Sequence, residues 1–69
     1  MKVVVNGEPQ ELPAGTTVAE LVARELSAPS GGRGMAVAVD AEVVPRSQWD
    51  ATRLSEGQQV EVLAAIQGG

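Results

Sequence analysis

The pair Asn6-Gly7 follows directly on a β-branched run from Lys2 to Val5. No dipeptide is better suited to the two positive φ angles of a tight two-residue hairpin turn, so the chain is predicted to open as a β-hairpin. The second strand is expected over about Glu8 to Leu12. Pro9 confines that strand to a sheet edge, because a residue without an N–H cannot serve a ladder there. Pro13-Ala14-Gly15 then ends it.

Thr17-Val18-Ala19-Glu20 has the spacing of a capping box, in which the threonine hydroxyl accepts from the Glu20 N–H and the Glu20 carboxylate accepts from the Thr17 N–H. A helix is predicted from Val18 to about Ser27. Val18, Leu21, Val22 and Leu26 share one face of it, and Glu20, Arg24 and Glu25 point mainly to water. From Ala28 to Gly34 the chain is rich in Pro, Ser and Gly and reads as a loop. A phosphate cradle is a poor account of this loop, which lacks the Lys-Ser/Thr ending and an apolar strand leading into it.

Met35 to Val39 and Glu42 to Val44 form a second expected hairpin around Asp40-Ala41, closed by Pro45. The stretch Arg46 to Leu54 is expected to be irregular or briefly helical, with Trp49 its large anchor. After a turn at Glu56-Gly57, Val60-Glu61-Val62-Leu63 begins as alternation and turns continuously apolar, the pattern of a strand near the middle of a sheet. A right-handed crossover can set this last strand parallel to the first. The order ββαβββ, a mixed sheet of about five strands on one helix, is that of the α+β ubiquitin-like β-grasp fold. The domain is expected to span residues 1–64, with a flexible tail at 65–69.

Composition narrows the function. A chain of 69 residues has room for one domain, and its 43% apolar content with one Trp and no Phe or Tyr makes the core aliphatic. It contains no Cys and no His, which removes thiolate metal sites, a persulfide of its own, the usual general base and the commonest metal ligand. Catalysis by side chains of this chain is not expected, nor is a metal. The net charge of −4, with Lys2, Arg24, Arg33, Arg46 and Arg53 scattered, argues against nucleic acid. The apolar runs fall far short of a membrane span and the N-terminus lacks a secretory pattern, so a soluble cytoplasmic protein is expected.

The chemistry is expected at the other end, in Ala65-Ile66-Gln67-Gly68-Gly69. At about 7% glycine per position, two terminal glycines arise by chance in roughly one sequence in 200. Without β-carbons they can thread a narrow channel in any backbone conformation and set a carboxylate against a bound nucleotide. If these residues extend past the sheet they reach roughly 17 Å. A free carboxylate is a poor electrophile, but transfer of AMP from ATP makes an acyl adenylate. Displacement of AMP by a sulfur nucleophile would leave a thiocarboxylate on Gly69, with every active-site residue supplied by a partner.

The segments Met35-Ala36-Val37-Ala38-Val39, Val43-Val44-Pro45-Arg46-Ser47-Gln48-Trp49 and Leu54-Ser55-Glu56-Gly57-Gln58-Gln59-Val60-Glu61-Val62, with the ending Gln67-Gly68-Gly69, resemble the thiamine-biosynthesis sulfur carrier family. Asn6-Gly7 and Gly15-Thr16-Thr17-Val18 extend the resemblance over essentially the whole chain. It implies that Gly69 is adenylated by an E1-like adenylyltransferase of the ThiF or MoeB type, using ATP that the partner binds. A sulfur donor such as a cysteine desulfurase or rhodanese then supplies the thiocarboxylate, and thiazole synthase of the ThiG type consumes it. The chain itself would hold no cofactor. Two departures bear on turn geometry and partner contacts: Asp40 stands where Asn is common, and Gln58-Gln59 follows Gly57 where an acidic residue is common.

Partner binding is expected at Leu63, Ala65, Ile66, Gln67 and Gly68, which lie nearest Gly69, although burial in the core accounts for Leu63 equally well. Trp49 and Pro45 read better as structural anchors than as contacts, and Arg46 is left open between an ion pair with an activating enzyme and solvent. Three rivals stand beside the thiamine carrier. A carrier for another pathway, such as the small subunit of molybdopterin synthase, also ends in Gly-Gly, usually with a proline-containing approach that Ala65-Ile66-Gln67 lacks. The others are a modifier joined to lysine amines and a noncovalent β-grasp adaptor with an incidental tail.

Overall fold

The computed structural model describes residues 1–26 and 34–64. Strands β1 (Lys2–Val5) and β2 (Glu8–Glu11) pair antiparallel, with Val5 opposite Glu8. Between them Asn6 and Gly7 hold φ angles of 49° and 83°, the two left-handed conformations of a type I′ turn. Strand β2 stops one residue short of expectation, at Glu11. Pairing nevertheless continues, since the Leu12 N–H donates to the Met1 carbonyl at 2.8 Å and the Met1 amino group donates to the Leu12 carbonyl at 2.7 Å.

Helix α1 (Val18–Leu26) opens on the reciprocal pair that the spacing predicts. The Glu20 N–H donates to Thr17 Oγ1 at 3.2 Å and the Thr17 N–H donates to Glu20 Oε1 at 2.9 Å. The next free donors of the first turn are served from a distance: Val18 N–H donates to the Thr52 carbonyl at 2.9 Å and Ala19 N–H to the Trp49 carbonyl at 3.2 Å. Val18, Leu21 and Val22 are buried, and Glu20 and Arg24 are exposed. Ser27, the expected last residue of the helix, and the glycine-rich loop up to Arg33 lie outside the described residues.

Strands β3 (Met35–Val39) and β4 (Glu42–Val44) form the second hairpin. Its turn residues Asp40 and Ala41 both have positive φ, 50° and 69°, although Ala41 carries a β-carbon where glycine would be unstrained. The left-handed conformation costs an L-residue roughly 1–2 kcal/mol. Tertiary bonds offset it: the Asp40 N–H donates to the Gln59 carbonyl at 2.7 Å, and the Asp40 carboxylate accepts from Gln59 N–H at 3.0 Å. Pro45 ends β4, and Arg46–Gln48 makes a short 3-10 turn.

The last strand, β5 (Gln59–Ala64), enters the middle of the sheet, giving the order β2-β1-β5-β3-β4. It runs parallel to β1, with Val5 beside Val60, and antiparallel to β3, with Val39 opposite Val60 and Met35 opposite Ala64. This is the ubiquitin-like β-grasp arrangement that the sequence order predicts. The place of β5 in the middle of the sheet is the one the apolar run predicts; along the strand burial alternates, with Val60 and Val62 inside and Gln59, Glu61 and Leu63 exposed. The helix lies on one face of the sheet, and among the described residues nothing lies on the other.

The core is the covered face: Val3 and Val5 of β1, Val37 and Val39 of β3, and Val60 and Val62 of β5 meet Val18, Leu21 and Val22 of α1, with Leu12, Leu54 and Trp49 closing the ends. Trp49 is only 5% exposed, and its Nε1–H donates to the Val44 carbonyl at 3.0 Å across Pro45. This buried aromatic therefore belongs to the core, as the sequence suggests, and not to a docking surface.

Candidate functional site

The structure assigns the candidate site residues unequally. Ala65, Ile66, Gln67, Gly68 and Gly69, which carry the expected tail chemistry and most of the expected partner contacts, lie outside the described residues. Leu63 is described, and its two accounts are now separated: it is 66% exposed on the open face of the sheet, so core burial is ruled out.

The surface around Leu63 follows from strand register. Residues directly opposite in neighbouring strands share a face. Ala36 lies opposite Leu63, and in the next row Val43 lies opposite Ala38, which lies opposite Glu61. Val43 is 72% exposed. The open face of β4, β3 and β5 is thus a shallow apolar surface of Val43, Ala38, Ala36 and Leu63, crossed by Glu61 and bordered by exposed Asp40. Exposed apolar side chains grouped on one face make it a candidate docking surface. Sequence reasoning placed Leu63 near the tail but passed over Val43, Ala36 and Ala38. The signal was the alternation in Met35–Val39, where the inward positions are Met35, Val37 and Val39 and the outward ones Ala36 and Ala38, whose small side chains leave the face shallow.

The position from which residues 65–69 depart is set by how β5 is held. On one side β3 pairs with it as far as Ala64. On the other, β1 donates from Val4 N–H to the Gln58 carbonyl at 2.9 Å and from Asn6 N–H to the Val60 carbonyl at 2.8 Å. In a parallel ladder the next bond would run from Val62 N–H to the backbone carbonyl of residue 6. Here the chain has already turned, and the side chain substitutes: Val62 N–H donates to Asn6 Oδ1 at 2.9 Å, and Asn6 Nδ2 donates to the Val62 carbonyl at 3.3 Å. Asn6, read from sequence as a turn residue, is thus also a bond to the last strand.

Arg46 is exposed at the start of the 3-10 turn, and its carbonyl accepts from Trp49 N–H at 3.1 Å. Among the described residues no group of three or more His, Cys, Asp or Glu could hold a metal ion, and no helix is long and apolar enough to cross a membrane.

Comparison with known proteins gives a consistent answer. The model of the ThiS family matches residues 3–69. The sulfur carrier protein ThiS of Escherichia coli is 32% identical over 69 residues, covering all of both chains. A thiazole synthase of Paramagnetospirillum magneticum is 38% identical over the same length; this chain spans 20% of that protein. Among solved structures, the crystal structure of the thiamine biosynthesis protein ThiS from Geobacter metallireducens superposes with a TM-score of 0.80 at 30% identity, covering all of both chains. The solution structure of a thiamine biosynthesis protein from the same organism gives 0.77 at 31% identity over all of this chain and 88% of that one.

Proposed function

The chain belongs to the ThiS family, and from that premise we propose that it is the sulfur carrier of a thiamine pathway, a protein co-substrate on which partner enzymes act. The observation that supports this most directly is the family match, which runs through Gly68-Gly69. In the proposed cycle a carboxylate oxygen of Gly69 attacks the α-phosphorus of ATP and pyrophosphate leaves. The terminal sulfur of a persulfide on a desulfurase or rhodanese then attacks the acyl carbon and AMP departs, leaving an acyl disulfide; a second thiol attacks the donor's sulfur, forms a disulfide with it and releases the thiocarboxylate. The resulting thiocarboxylate gives its sulfur to thiazole formation.

The chain brings two things to this cycle, a reactive end and a surface by which enzymes recognise it. The open apolar surface of Val43, Ala36, Ala38 and Leu63 is the proposed seat of the E1-like adenylyltransferase. The acidic groups around it favour a basic border on the partner, since opposite potentials steer association. A thiazole synthase in which one fifth of the length resembles this chain supports thiazole synthase as the consuming partner.

Intact-mass measurement after incubation with ATP, a ThiF-type enzyme and a sulfur donor tests the proposal. Gain of one sulfur in place of one oxygen, located at Gly69, is the expected result, and a chain lacking Gly69 should gain none. An unchanged mass with demonstrably active enzyme and donor would overturn it.

A further inference from the structure

From the pair of hydrogen bonds between the Asn6 side chain and the Val62 backbone we propose that Asn6 is a positioning residue for activation of the C-terminal carboxylate; this rests on the sulfur-carrier reading above. Among the described residues the side-chain amide is the last hold that the β1 side has on β5. After Asn6 the chain turns through Gly7 into β2, and β1 has no further backbone group to offer. Asn6 Oδ1 accepts from Val62 N–H at 2.9 Å and Asn6 Nδ2 donates to the Val62 carbonyl at 3.3 Å. One planar amide thereby holds both polar groups of the Val62 residue. Without it β5 would be tied past Val60 only through β3, and the strand end could swing about that single ladder.

The residue type is informative. Type I′ turns accept Asn, Asp or Gly at the first central position. Gly has no side chain to bond β5. An ionised Asp could accept from Val62 N–H, but its second oxygen would then face the Val62 carbonyl, acceptor against acceptor. Asn alone among the three supplies an acceptor and a donor in the required order. The turn and the strand end are thus fixed by one residue, with its backbone in the left-handed region and its side chain aimed across the sheet.

The docking surface lies on the open face of β3, β4 and β5, whereas this clamp acts within the plane of the sheet at the opposite edge of β5. Removing the clamp should leave docking intact and impair delivery of Gly69 to the nucleotide. Asn6→Gly is the decisive variant, because it keeps the positive φ at residue 6 and deletes only the amide. The assay is pyrophosphate release by a ThiF-type adenylyltransferase with ATP, as a function of carrier concentration. It is run well below each variant's unfolding midpoint, which Trp49 fluorescence reports.

The expected result is a kcat at least tenfold lower with KM for the carrier within about threefold of wild type. Asn6→Asp, which retains the acceptor, should fall between the two. Unchanged kcat in Asn6→Gly would overturn the proposal, as would a rise in KM alone, which would make Asn6 a docking contact. If Asn6→Gly fails to fold, Asn6→Asp decides, and a wild-type kcat in that variant is the overturning result. A wild-type chain that releases no pyrophosphate with an enzyme active on another carrier would overturn the sulfur-carrier reading itself, and this inference with it.

Discussion

Asp40 Oδ2 accepts a hydrogen bond from Gln58 Nε2 at 3.4 Å, so two of the positions at which this chain departs from the family pattern are bonded to each other. Gln58 Oε1 in turn accepts from Ser55 N–H at 2.7 Å. The direction of the bond follows from the residue types: a carboxylate at 40 can only accept, and the amide at 58 supplies the donor. With Asn at 40 and an acid at 58 the same bridge would run the other way. Gln58→Glu alone should therefore lose some tenths of a kcal/mol, because two carboxylates then face each other. Asp40→Asn alone should be nearly neutral, and the double variant should recover the loss, a coupling that a denaturation double-mutant cycle measures.

Ala41 holds φ of 69° with no steric gain to show for it. Ala41→Gly removes the β-carbon penalty at the expense of unfolded-chain entropy, and the balance favours glycine where φ is positive. The expected gain is about 0.5–1 kcal/mol, seen as a rise of several degrees in Tm for a domain of this size.

Trp49 combines a buried ring with a bond to the Val44 carbonyl, and the two contributions can be separated. Trp49→Phe keeps most of the apolar area and orphans that carbonyl, at an expected cost of about 1–3 kcal/mol. Trp49→Ala should cost about 3–5 kcal/mol, which is much of the stability available to so small a domain. Urea unfolding followed by far-ultraviolet circular dichroism reads both, since the variants have lost the fluorophore.

Leu63 and Val43 stand on the open face, so charge there should be tolerated by the fold and resented by a partner. Leu63→Asp and Val43→Asp are each expected to change unfolding free energy by no more than about 0.5 kcal/mol. For a docking surface centred on them, each should raise KM for the activating enzyme by tenfold or more, equivalent to about 1.4 kcal/mol or above. Loss of stability without a change in KM would return these residues to a structural role.

The readable parts of this fold were those encoded locally. Asn6-Gly7, the Thr17 and Glu20 pair and the valines of β1 and β3 each declare their conformation within a few residues. Asp40-Ala41 was recognisable as a hairpin joint but not as a left-handed pair, because the bonds that fix the turn join Asp40 to Gln59, far along the chain. Leu63 was ambiguous for the same kind of reason: an apolar residue in a central strand is buried only if both faces are covered, and nothing local states that one face stays open. Asn6 carried two roles, and its turn propensity concealed the bond to Val62. For the Gly68-Gly69 chemistry the legible part was the family pattern, and the geometry of those residues lies outside the described structure.

The two hairpins, β1 with β2 and β3 with β4, share no ladder; each touches the other's side of the sheet only through β5. A chain emerging in order thus makes two separate local ribbons and a helix, and cannot join them into one sheet until the final strand slots between. Since the segment proposed to carry sulfur follows that strand directly in sequence, a half-made or unravelled molecule has no anchored strand end from which to present it. An activating enzyme that needs both the open face of the sheet and that anchored strand end would, in effect, load only finished molecules and leave misfolded ones empty.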